Sequence, residues 1–119
     1  MKYDYKKQLR SFRYAWQGIW CCVGKEQNLS FHLIATVLVV VAGSMLHLSR
    51  MEWMVVTLCI GMVIAAELFN SAIEKLVDIV SPEWNPLAGK VKDIAAGAVL
   101  VCAIAAGITG LIVFLPHIF

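Results

Sequence analysis

Glu67, Asn70, Ser71, Glu74 and Asp78 are spaced so that, at about 100° per residue, all five fall within an arc of roughly 100° on one side of a helix. Three carboxylates, an amide and a hydroxyl close to one another can hold a cation, take up a proton or orient a hydroxyl group. The residues that precede them make the stripe unusual. Residues 53–66 include no charged side chain, so Glu67 lies about 21 Å along an apolar helix. That depth is near or just inside the inner edge of a hydrocarbon layer about 30 Å thick. An isolated acid in such a helix costs on the order of 2.5 to 3.5 kcal/mol, so this one should be paired, metal-bound or protonated.

Three chemistries meet that requirement. The first is an ion pair between Glu74 or Asp78 and Lys92, at the start of the last apolar stretch, which would fix helix register. The second is phosphoryl transfer, which needs carboxylates for magnesium, a cation for phosphate oxygens and a base for an attacking hydroxyl. The third is an ion or proton path that several copies would build together. A conventional nucleotide loop is absent, since Gly89-Lys90 is followed by Val91 without the upstream glycine and no G-x-G-x-x-G occurs. Two further candidates lie earlier in the chain. Glu26 reads as a solvated turn residue near a helix start, and His32 as an interface anchor or a ligand.

The elements that must carry these residues follow from composition. A chain of 119 residues that is 61% hydrophobic and 15% charged is too apolar for a soluble domain of its size. The expected fold is an all-α integral membrane protein in one domain, 1–119. Helices over 31–48, 53–80 and 92–115 would contain the three spans, preceded by an amphipathic interfacial helix over 5–22. The run Thr36-Val37-Leu38-Val39-Val40-Val41 could be a buried strand elsewhere, but its length and flanks favour a helix here. Pro82 and Pro86 mark a chain reversal. In the last helix Ala103/Gly107 and Ala106/Gly110 have the small-x-x-x-small spacing that permits close backbone approach, so a homo-oligomer is expected.

Lysine and arginine cluster before the first span and between the second and third, with only Arg50 in the loop between the first two. The N-terminus and loop 81–91 should therefore be cytoplasmic and the C-terminus outside. No cleavable signal peptide fits the charged first 30 residues. A net charge of +2 gives no reason to invoke nucleic acid. Cys21, Cys22, Cys59 and Cys102 form no C-x-x-C pair and read as small apolar residues.

The motifs A-E-L-F-N-S-A-I-E-K-L-V-D at 66–78 and A-G-K-V-K-D-I-A-A-G-A-V-L at 88–100 are similar to those of the small prokaryotic diacylglycerol kinases. These are three-span membrane lipid kinases that include the undecaprenol kinases. F-R-Y-A-W-Q-G at 12–18 and Glu26-Gln27-Asn28 extend the resemblance over nearly the whole chain. The resemblance implies a bacterial inner-membrane homotrimer with sites shared between neighbouring chains. It implies ATP- and Mg2+-dependent phosphorylation of a lipid alcohol, undecaprenol before diacylglycerol. Glu67 would be the general base and Asn70 would orient the reacting groups. Glu26 and Glu74 would hold the metal, and Lys92 with Asp93 would organise the phosphates. Tyr14, Glu83, Trp84 and Asn85 would border the nucleotide, while Ser71 and Asp78 give polar support. Lys7 would be the family's basic residue near the N-terminus. The rival from another class is a non-catalytic assembly or transport protein whose acidic stripe is an ion-pair network.

Overall fold

The computed structural model describes residues 2–119. They form four helices, α1 (Tyr5–Cys22), α2 (Gln27–Met45), α3 (Arg50–Val80) and α4 (Pro86–Ile118). No strand occurs among the described residues. The last three helices are long and apolar enough to cross a membrane. The valine-rich middle of α2 is helical because in lipid a segment must satisfy its own backbone hydrogen bonds, which outweighs a modest β-branched preference.

Asp4 caps α1 by accepting the Lys7 amide at 3.0 Å. Tyr5, Leu9, Phe12, Trp16 and Trp20 recur at helical spacing and are all exposed. Trp16 and Trp20 stack edge-on at 5.8 Å. Exposed aromatic groups of this kind suit a helix lying in the headgroup layer. Burial pushes the pKa of the Cys22 thiol up, so it packs as a neutral group where α1 ends.

The turn between α2 and α3 depends on Gly43. Leu46 ends α2, His47 takes a left-handed φ of 56°, and the Leu48 amide returns to the Gly43 carbonyl at 3.2 Å. This is a Schellman-type close, which brings Leu48 onto the helix it has just left. A Cβ on Gly43 would stand 2.8 Å from both Leu48 Cδ1 and Trp53 Cη2, so a larger residue would force these side chains to move. Leu48, Val56 and Val113 form the buried cluster there, with Val39, Trp53, Ile60 and Phe114 packed against it.

Ser49 and Glu52 form a reciprocal capping box at the start of α3, with contacts of 2.9 and 3.2 Å. The Glu52 carboxylate also holds His117 at 2.8 Å, which ties the first turn of α3 to the last turn of α4. At the opposite end α4 begins at Pro86 rather than at 92. Asn85 accepts the amides of Leu87 and Ala88, and Pro86 occupies the first helical position, where its missing N–H costs nothing. Likewise α2 begins at Gln27, with Glu26 as its N-cap residue.

The small residues of α4 do not close a tight seam within one chain. A Cβ at Gly97, Gly107 or Gly110 would meet nothing within 4 Å. Ala103, Ala106, Gly107 and Gly110 instead line a cavity of about 350 Å³ between α2, α3 and α4.

Candidate active site

One face of α3 changes character along its length. Val56 and Val63 are buried on it, and one turn after Val63 come Glu67, Asn70 and Ser71, equally buried. Glu67 is 2% exposed. Its Oε1 lies 3.2 Å from His32 Nε2, supplied by α2. A turn farther on, Asn70 Nδ2 donates to Glu74 Oε1 at 3.3 Å, while Asn70 Oδ1 is buried without a partner. Next, Lys75 Nζ donates to Glu26 Oε1 at 2.8 Å. Last, Lys92 Nζ donates to Asp78 Oδ1 at 2.7 Å.

This order corrects the expected ion pairing. Lys92 does find Asp78, but the two side chains are 39% and 65% exposed, so the pair is a surface contact of small energy rather than a buried register lock. The side chain that meets Glu67 is His32 instead. Lys75 points away from Glu74 because it faces Glu26 at the start of α2. The sequence offers His32 as a possible ligand without pairing it to Glu67, and it does not pair Lys75 with Glu26. The available signal is their spacing. Going from Glu26 to His32 advances six residues along α2, and going from Lys75 to Glu67 retreats eight along α3, as antiparallel neighbours require.

The other expected nucleotide residues are not drawn in. Tyr14 and Trp84 are exposed, at 61% and 86%. Asn85 spends its side chain on capping α4. No side-chain hydrogen bond or ion pair among the described residues joins Tyr14, Glu83 or Asp93 to the α3 face. Chemically, the face offers a buried carboxylate at the end of an apolar stretch, then an oxygen-rich pair, then lysines toward the exposed end.

The model of the family described as prokaryotic diacylglycerol kinase matches residues 13–114. A protein named undecaprenol kinase from Bacillus subtilis (strain 168) is 41% identical over 119 residues, covering 97% of both chains. A diacylglycerol kinase from Synechocystis sp. is 42% identical over 109 residues, covering 91% of this chain and 62% of that protein. The diacylglycerol kinase of Escherichia coli (strain K12) is 29% identical over 109 residues, covering 92% of this chain and 89% of its own length.

Proposed function

The chain belongs to the prokaryotic diacylglycerol kinase family, and from that premise we propose that this lipid kinase phosphorylates the hydroxyl of a membrane lipid alcohol at the polar face of α3. The observation that carries the reading is Glu67, a carboxylate buried at 2% exposure where an apolar helix face turns polar. Undecaprenol is the proposed substrate ahead of diacylglycerol. The match to a relative named undecaprenol kinase, which runs along 97% of both chains, supports it.

In this reading the lipid hydroxyl reaches Glu67 from the apolar side. Glu67 accepts its proton as the oxygen attacks the terminal phosphorus of ATP, and the bond from that phosphorus to the bridging oxygen breaks so that ADP leaves. Asn70 and Glu74 lie one and two turns nearer the cytoplasm. Their donor set fits magnesium, because Asn70 Oδ1 is buried and unpartnered beside the Glu74 carboxylate. Magnesium takes hard oxygen ligands and usually only one or two carboxylates, the rest coming from water and phosphate. When bound, it would neutralise charge on the transferring phosphate. Glu26 would be the second carboxylate, exchanging Lys75 for the metal. Lys92 and Asp93 would order the phosphates, with Tyr14, Glu83, Trp84 and Asn85 bordering the nucleotide. The assembly proposed is a homotrimer in the bacterial inner membrane, with the N-terminus and loop 81–91 cytoplasmic.

A magnesium-dependent assay in mixed micelles, offering undecaprenol and diacylglycerol side by side, tests the reading. Turnover of undecaprenol should exceed that of diacylglycerol, and Glu67→Gln should abolish turnover while the oligomer stays intact. Near-normal turnover by Glu67→Gln would rule out the base. No ATP consumption with any lipid alcohol would favour the non-catalytic assembly.

A further inference from the structure

We infer that His32 is a positioning residue for Glu67, set against one carboxylate oxygen so that the carboxylate keeps one orientation at the end of an apolar face and the other oxygen stays free to take a proton. The inference rests on the reading of Glu67 as the base.

The geometry is specific. His32 Nε2 lies 3.2 Å from Glu67 Oε1, with side-chain exposures of 17% and 3%. Oε1 is the carboxylate oxygen that lies nearest the ring. The Asn70 amide, one turn away, is already spent on Glu74. His32 is therefore the side chain that stands in ion-pair range of this buried carboxylate. The imidazole itself is held. The Phe31 ring meets it edge-on at 5.6 Å and 79°. One side of His32 also lines the apolar cavity together with Val63, one turn from Glu67. The residue thus stands where apolar lining gives way to the acid. A polar side chain set against one oxygen of a buried carboxylate restricts its rotation and leaves the second oxygen open to substrate.

The test compares His32→Gln, whose amide nitrogen can reach the position of Nε2, with His32→Leu and with His32→Asn, which stays polar but stops short. His32→Leu and His32→Asn should lower kcat about 10- to 100-fold with KM for ATP unchanged, and His32→Gln should recover most of it. A second readout is independent of turnover. A hydrophobic carbodiimide reacts with protonated carboxyls in apolar surroundings, so labelling of Glu67, mapped by mass spectrometry, should rise in the Leu and Asn variants and not in Gln. Wild-type kcat in His32→Leu would overturn the inference, and so would equal loss across all three variants with unchanged labelling. If His32→Leu loses its oligomer, His32→Asn against His32→Gln carries the comparison. The outcome for Glu67→Gln is separate. Activity there sinks the base, while carbodiimide labelling still reads the His32–Glu67 contact.

Discussion

Gly43 has no side chain because Leu48 and Trp53 occupy the place one would take, 2.8 Å from where its Cβ would stand. Gly43→Val should cost about 1 to 3 kcal/mol through overpacking, read as a lower melting temperature in detergent. The site residue Asn70 should behave in the opposite way. Its Oδ1 is buried without a partner, and such a group costs about 1 to 3 kcal/mol. Asn70→Leu removes that cost and also removes the donor to Glu74. The expected outcome is a melting temperature no lower than wild type together with a large loss of turnover. A variant that melts early with proportionate activity would mean that Asn70 is a structural residue. This pairing of stability gained with function lost is what separates a group retained for chemistry from one retained for packing.

At the scale of elements, ion pairs sit at matching levels along antiparallel helices. From Glu52 to Asp78 is 26 residues along α3, and from His117 back to Lys92 is 25 along α4, so the two bridges close the hairpin at both ends in one register. The outer end adds the Ser49 capping box. Ser49→Ala should therefore lower stability by about 1 kcal/mol, and His117→Leu should add to the loss because both act through Glu52. Thermal melts of the single and double variants, with less than additive loss in the double, check the shared partner. The stripe on α3 was legible from spacing alone, since 67, 70, 71, 74 and 78 share a face whatever they pack against. The partners of that stripe were not. Whether Lys92 meets Glu74 or Asp78, and whether His32 or a lysine meets Glu67, depends on how α2 and α4 are rotated about α3. Periodicity within one helix does not contain that rotation. The start of α4 was missed for a local reason, because Pro86 reads as a helix breaker until its place at the first turn is seen.

At the scale of the whole molecule, one chain leaves most of its apolar surface uncovered. Phe31, Leu38, Leu58, Phe69, Ile94 and Leu111 are all more than half exposed, and the glycines of α4 make no close contact within the chain. Lipid or further copies must cover these faces. The spacing of the site residues allows a test of whether copies share it. Lys92 is held at Asp78, eleven residues beyond Glu67, or about 16 Å along α3, farther than a lysine side chain spans. If Lys92 orders the phosphate that Glu67 helps transfer, the Lys92 that serves a given Glu67 belongs to a neighbouring chain. Glu67→Gln and Lys92→Met should then each be inactive alone, yet regain activity when unfolded, mixed in equal amounts and refolded together. Random assortment in a ring leaves about a quarter of the sites with both residues intact. A chain carrying both substitutions, mixed with either single variant, should regain none. Absence of recovery in the first mixture would place both residues in one chain and require Lys92 to leave Asp78 during turnover.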